Sequence, residues 1–317
     1  MDFEHEQKIR FFLSHNINNA LVDPIDNYVQ ANHKKWKTEK SEEFFEFIGE
    51  RTQKYDKNFF ETNQKNLKEL ELEYSTEDMN QNFQVLSHLK YLLPKLQTLK
   101  INLYELNSIS SFKNAFKNII FLEISYSQYL SDLSNLGSLE NAEVLNLSYN
   151  KIQDISGLHK NMPKVKVLKL EYNQIKDISA LKDSMPQVEQ LFLNNNKITN
   201  VNGLKKSMPN VKCLDLSKNK IRGITGLKNS MPRVLDLNLS TNSFRDIKNL
   251  ENSMPRVLNL DLSWCKIEDY TPLIGNIPNV EKLELYFKSV GRSEPPQFEN
   301  LKLILHQMEY YYVYGRI

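Results

Sequence analysis

The feature that most limits what this chain can become is a step of 23 residues. Asparagines stand at Asn150, Asn173, Asn196, Asn219 and Asn242, and Cys265 takes the next place. Prolines stand at Pro163, Pro186, Pro209, Pro232, Pro255 and Pro278, and Pro94 lies in phase three periods earlier. A fixed period of this length marks a solenoid, in which each unit buries its apolar side only against its neighbours.

One unit reads VKVLKLEYNQIKDISALKDSMP from Val165 to Pro186. Leu168 and Leu170 alternate, so both face one side of a short strand, and that side is the core. Strands of successive units pair in parallel, and the chain returns after each one along the opposite side, through Ile175, Ile178 and Leu181. Asn173 and its equivalents (Asn150, Asn196, Asn219, Asn242 and Cys265) are expected to turn inward onto backbone groups of the turn, because a buried polar row persists only when its groups are satisfied. Proline begins the descent to the next strand, where a fixed φ and a missing N–H are tolerated. The methionine before it fills the core.

This pattern resembles the leucine-rich repeat, L-x-x-L-x-L-x-x-N/C-x-L, and six successive units fit it in register. Cysteine at 265 is that family's own substitute for asparagine. The resemblance implies an α/β solenoid, a horseshoe with a parallel concave β-sheet, and a macromolecular partner in place of a substrate. The phrases NKIQDISGL and IKDISAL are similar to the short repeats of two groups, the bacterial internalins and the eukaryotic phosphatase-1-regulating and axonemal proteins. Both groups use a 22-residue unit, so the 23-residue form with Ser-Met-Pro is a departure. Internalins are secreted, and the segment MDFEHEQKIRFF is acidic where a signal peptide needs a basic region. The second comparison is therefore the better one, and it covers the repeat grammar alone.

Weaker units precede the regular ones. Leu122 with Ile124, Leu99 with Ile101 and Leu70 with Leu72 read as strand pairs, with Ser127 and Tyr104 in the ladder position. Leu283 and Leu285 form a strand, and Leu301, Leu303 and Leu305 read as a final one. The count is ten strand pairs from Leu70 to Leu285, within a solenoid over residues 67–287. Residues 1–66 show helical spacing at Ile9, Phe12 and Leu13 and at Phe44, Phe45, Phe47 and Ile48, with Pro24 between. They read as a helical N-terminal cap; a small independent binding module is the alternative. Residues 288–317 read as a C-terminal cap and tail.

Lys and Arg number 41 against 39 Asp and Glu, so no strong field draws the chain to nucleic acid or an anionic membrane. Two cysteines, Cys213 and Cys265, argue against a disulfide framework and point to a reducing, cytoplasmic compartment. No apolar run approaches the roughly 18 residues of a membrane span. The six histidines are scattered, with no metal-ligand spacing, and there is neither a phosphate loop nor a nucleophile elbow. The sequence therefore predicts a protein that is not an enzyme and takes no cofactor, metal or small-molecule substrate.

The residues between and beside the strand leucines face the concave surface. They bring up an aromatic series of Tyr74, Phe121, Tyr126, Tyr149, Tyr172, Phe192, Trp264 and Tyr286, interleaved with Glu123, Glu171, Asp215, Asp236, Asp261 and Glu284. Tyr and Trp give large contact area with few rotatable bonds, and the carboxylates favour a basic stretch on a protein partner. The bland reading is that these rings pack on one another along the sheet. Elsewhere Lys160, Lys182, Lys205, Lys206, Lys228, Arg233 and Arg256 form a basic side. It reads first as a solvated face and second as a nucleic-acid surface. The expected function is a protein-interaction scaffold or regulatory adaptor. The alternatives are a subunit of a large axonemal, cytoskeletal or ribonucleoprotein assembly, and nucleic-acid binding through the basic side.

Overall fold

The computed structural model describes residues 9–12, 66–74, 93–110, 116–286 and 310–314. Twelve strands lie side by side in chain order: β1 Ile9–Phe12, β2 Glu69–Tyr74, β3 Thr98–Leu103, β4 Phe121–Ile124, β5 Val144–Asn146, β6 Val167–Lys169, β7 Gln190–Phe192, β8 Cys213–Asp215, β9 Asp236–Asn238, β10 Asn259–Asp261, β11 Lys282–Tyr286 and β12 Tyr310–Tyr314. The parallel run from β2 to β11 holds the ten strands counted from the leucine pattern. The register sets Leu99, Leu122, Leu145, Leu168, Leu191, Leu214, Leu237, Leu260 and Leu283 in one continuous row. A slip of one residue would turn that whole row out to solvent, so the apolar pattern fixes the pairing.

Between strands the chain returns in three-residue 3-10 turns at Ser156–Leu158, Ser179–Leu181, Asn202–Leu204, Thr225–Leu227, Lys248–Leu250 and Thr271–Leu273. An acceptor side chain opens most of them. Asp154 accepts the Ser156 N–H at 2.7 Å, Asp177 that of Ser179 at 2.8 Å, Asp246 that of Lys248 at 2.8 Å and Asp269 that of Thr271 at 2.9 Å. Short polar side chains that bond the backbone two residues on favour a tight turn over a helix. The leucines closing these turns are buried, as are Met162, Met185, Met208, Met231 and Met254.

The asparagine row is bonded on both ends of each amide. Asn173 accepts the Ile152 N–H at 3.0 Å and donates to the Leu147 and Leu170 carbonyls at 2.9 and 3.1 Å. Asn150, Asn196, Asn219 and Asn242 repeat this across each junction. Cys265 does less, donating its thiol to the Leu239 carbonyl at 3.2 Å. Ser127 carries the row one unit further back, donating to the Leu103 carbonyl at 2.9 Å.

A second polar row runs beside the first. Its members are the serines of Ser-Met-Pro: Ser184, Ser207, Ser230 and Ser253, all buried. Each accepts a backbone N–H from the unit before it, from Lys160, Asp183, Lys206 and Asn229 at 2.9–3.1 Å. Those four donors, and Asn252 after them, have φ of 50–56°, and Gly137 and Gly275 hold the flanking places of the same series. The sequence reading assigned Met and Pro of this tripeptide a role and passed over the serine.

One expectation is revised at the N-terminal end. Residues 9–12 form a strand antiparallel to β2, not part of a helix. The edge of β2 offers unpaired N–H and C=O groups, and Ile-Arg-Phe-Phe suits a strand better than a helix. The rest of the expected helical cap at 1–66 lies outside the described residues, apart from 66 itself. The final strand is Tyr310–Tyr314, parallel to β11; Leu301, Leu303 and Leu305 lie outside the described residues. Among the described residues the convex side carries 3-10 turns and no longer helix.

Candidate partner-binding face

Each strand shows its inner leucine to the core and two neighbours to the opposite, concave side. The first such row is Phe121, Val144, Val167, Gln190, Cys213, Asp236, Asn259 and Lys282; the second is Glu123, Asn146, Lys169, Phe192, Asp215, Asn238, Asp261 and Glu284. Beyond the end of each strand, one residue before the ladder position, the backbone turns left-handed. Tyr126, Tyr149, Tyr172, Asn195, Lys218, Thr241 and Trp264 have φ of 52–61°. That turn swings their side chains off the sheet and into solvent.

The consequence is an aromatic stack. The rings of Tyr126 and Tyr149 lie 4.9 Å apart at 13°, and those of Tyr149 and Tyr172 lie 4.4 Å apart at 10°. The spacing follows the strand repeat of about 4.8 Å. The rings do pack on one another, yet they remain 54%, 39% and 43% exposed, and Trp264 is 57% exposed. Packing and presentation therefore coexist. The Tyr149 phenol is pushed above its usual pKa by desolvation against its neighbours, then by the Tyr172 and Tyr126 phenols and the Glu171 carboxylate.

Glu171 lies beside this stack, half-buried. Burial raises its carboxyl pKa; a hydrogen bond from its own backbone N–H and the Lys169 charge oppose the effect, and Asp215 adds to it. Its Oε2 is buried and has no hydrogen-bond partner. Phe192 sits two strands before Asp236 with the Lys169 ammonium 5.9 Å from its ring centre, a cation–π contact.

Further along, a shallow depression of about 220 Å³ is bounded by Phe192, Cys213, Asp215, Asp236, Asp261 and Glu284 among others. Asp215 lies in register with Asn238, and Asp236 with Cys213, so the two aspartates are diagonal neighbours on adjacent strands. Asp215 and Asp261 also cap the turn, accepting the Ser217 and Ser263 N–H groups at 2.9 Å. Asn146 and Asn238 do the same for Ser148 and Ser240. Asp236 accepts from the Asn259 amide, and Glu284 pairs with Lys282 at 2.5 Å. Glu123 accepts from the Ser125 hydroxyl at 3.0 Å, and Phe121 is partly buried beside it. Tyr74 and Tyr286 end β2 and β11, and their side chains lie outside the described residues. Cys213 is a poor nucleophile here: burial first, then Asp236 and Asp215, push its thiol up to about 11. Burial likewise holds Cys265 at about 12.

The basic residues Lys160, Lys182, Lys205, Lys206, Lys228, Arg233 and Arg256 are all exposed, on the loops that lead back to the strands. The rim between those loops and the sheet alternates in sign, with Lys166 on Glu143 at 2.8 Å and Lys212 on Glu189 at 2.7 Å. Among the described residues no group of His, Cys, Asp and Glu is placed to hold a metal ion, and no helix is long and apolar enough to cross a membrane. Sequence reasoning missed Lys169, which shares the concave row with Phe192. Its signal was its place between Leu168 and Leu170. It also missed that carboxylates of this face serve the turns, for which the Asn146 and Asn238 equivalents were the clue.

Comparison with known proteins agrees with this architecture. The family of leucine-rich repeats, in two-copy units, matches residues 143–183, 163–206 and 186–229. Among solved structures, an internalin of Listeria monocytogenes is similar over 74% of this chain and 71% of its own, at 23% identity and a TM-score of 0.56. An internalin-like protein of the same species covers 77% of this chain and 68% of its own, at 16% identity and a TM-score of 0.43. A leucine-rich-repeat protein of Leptospira interrogans covers 82% and 92%, at 14% identity and a TM-score of 0.38. No curated protein matches the sequence significantly. Likeness at this identity is a likeness of fold.

Proposed function

We propose that this chain, which has the leucine-rich-repeat fold and matches that family's repeats over residues 143–229, is a protein-interaction scaffold or regulatory adaptor whose partner sits on the concave face. The observation that carries this reading is the tyrosine stack. Three rings held parallel by adjacent strands, yet 39–54% exposed, form a rigid surface that loses little side-chain freedom when covered. Aromatic anchors of this kind dominate binding energetics at protein interfaces. The half-buried acidic residues beyond the stack supply charge for choosing a partner. Neither thiol serves this reading as a nucleophile, since burial holds both well above the range in which one works.

The test is affinity capture from native lysate with wild type beside Tyr149→Ala/Tyr172→Ala/Phe192→Ala, after circular dichroism shows that both fold. A protein retained by the wild type and lost by the variant supports the concave face and names the partner. Identical captured sets move the site to the basic loops or the N-terminal region.

A further inference from the structure

We infer that the occupant of the concave face is an extended, cationic segment of a partner protein, laid across the strands from the tyrosine stack toward the aspartates of β8–β10. This rests on the concave-face reading and adds what kind of partner fits it.

Four observations converge. The face is divided by charge along its length. The depression over β7–β11 holds Asp215, Asp236, Asp261 and Glu284 against a single cation, Lys282, which pairs with Glu284. Next, among the described residues two buried polar side-chain atoms have no hydrogen-bond partner, Glu171 Oε2 and Ser263 Oγ, and both residues follow the second inner leucine of their unit. Ser125, Ser148 and Ser240 at the same place bond the side chain beside them, at 2.6–3.0 Å. One orphan thus lies in the β6 unit, before the acidic stretch, and the other in the β10 unit, within it. An ionised carboxylate only accepts, so what Glu171 lacks is a donor; its terminal torsion is soft enough to turn toward one.

The third observation is width. The strands of this stretch have three residues each, so the sheet floor is roughly 10 Å across. A helix with its side chains is about 10–12 Å wide and would overhang this floor, whereas an extended chain lies within it. The backbone groups of these strands are already paired within the sheet, so the segment crosses by side-chain contacts and does not add a strand. From β6 to β10 is four strand intervals, about 19 Å, or roughly six extended residues. The fourth is the tyrosine stack itself. Tyr149 has both ring faces occupied, so the stack offers mainly ring edges, which carry positive partial charge. Cations are turned away from the rings and toward the carboxylates, which gives the segment a direction: its apolar part on the rings of Tyr126, Tyr149 and Tyr172, and its Lys and Arg side chains on Glu171 and on the aspartates of β8–β10.

The test uses the full chain and fluorescence anisotropy with fluorescein-labelled decalysine, decaglutamate and a twelve-nucleotide oligothymidylate, at low and high salt. The diagnostic variant is Asp215→Asn/Asp236→Asn/Asp261→Asn. It preserves the fold because Asn238 and Asn259 already stand at those register positions, and Asn238 caps its turn as the aspartates do. Decalysine should bind the wild type, and the triple variant should bind it at least about tenfold more weakly. Lys205→Glu/Lys206→Glu should not lose that binding, and decaglutamate should not reach this face. Absence of decalysine binding, equal binding by the triple variant, or oligothymidylate binding that the aspartate substitutions weaken would each overturn the inference. If decalysine fails in these ways while capture still depends on Tyr149, Tyr172 and Phe192, the concave face stands and the cationic segment falls. If capture is also independent of those three residues, both fall.

Discussion

Single residues on this face carry conflicts that the rest of the fold absorbs. Glu171 is a carboxylate with one oxygen buried and unbonded, and burial raises its pKa above the usual 4.5. A raised carboxyl pKa means that the folded state holds the proton more tightly than the unfolded one. Its contribution to stability is therefore present below pH 4.5 and is lost as pH rises through the folded value. Glu171→Gln should raise the melting temperature at pH 7.5, and the difference from wild type should shrink at pH 4; thermal scans at the two values check it. An equal difference at both would remove desolvation as the cause. Thr241 poses a backbone conflict, since a β-branched residue sits at φ 57°. Asn195 fills the equivalent place at φ 56°. Thr241→Asn should stabilise the protein by about 1 kcal/mol, read from urea unfolding, because Asn tolerates this region far better.

The element of this molecule is the 23-residue unit, and three polar side chains close it: an aspartate opening the 3-10 turn, a serine before Met-Pro and an asparagine after the strand. Ser207 is buried, accepts the Asp183 N–H at 3.1 Å and donates to the Lys205 carbonyl at 3.2 Å. Ser207→Ala leaves that N–H without its acceptor and should cost about 1–3 kcal/mol. Leu214→Ala opens the core and should cost about 2–5 kcal/mol. Denaturant titration measures both, and a loss under about 0.5 kcal/mol for Leu214→Ala would contradict the register. At this scale the sequence was most legible. Leu168 and Leu170 alternate, Asn173 recurs every 23 residues, and only one parallel pairing buries them all. The serine row was less legible, because serine in a loop is common and its partner N–H lies in another unit. The edges were least legible. Ile9–Phe12 lies within a segment whose apolar spacing also fits a helix, and the open edge of β2 decided for a strand.

At the scale of the whole molecule, a solenoid is a sum of units and junctions. Every junction from β5 to β9 repeats the same register and the same asparagine bonds. Deleting residues 188–210 removes one whole period and joins Gln187 to Val211 in phase. The shortened protein should fold cooperatively, with an unchanged circular-dichroism signature per residue and a length reduced by about 4.8 Å in small-angle scattering. Loss of the cooperative transition would mean that the units are not interchangeable. The candidate site was legible at this scale only in part. Tyr126, Tyr149 and Tyr172 were visible as a series, but their left-handed backbone, which makes them both stacked and exposed, is a property of the turn and leaves no mark in residue type.

The central claim is that this stack and its neighbours, and not the basic loops, meet the partner. Isothermal titration of the captured partner against three forms tests it most directly: wild type, Tyr149→Ala/Tyr172→Ala/Phe192→Ala, and Lys205→Glu/Lys206→Glu. Loss of two or more aromatic anchors should cost at least about 2–4 kcal/mol, a drop in affinity of roughly thirtyfold to a thousandfold, while the charge reversal leaves affinity within about threefold. An aromatic variant that binds like the wild type, with the charge-reversed form losing its affinity, would place the interface on the loops and contradict the account.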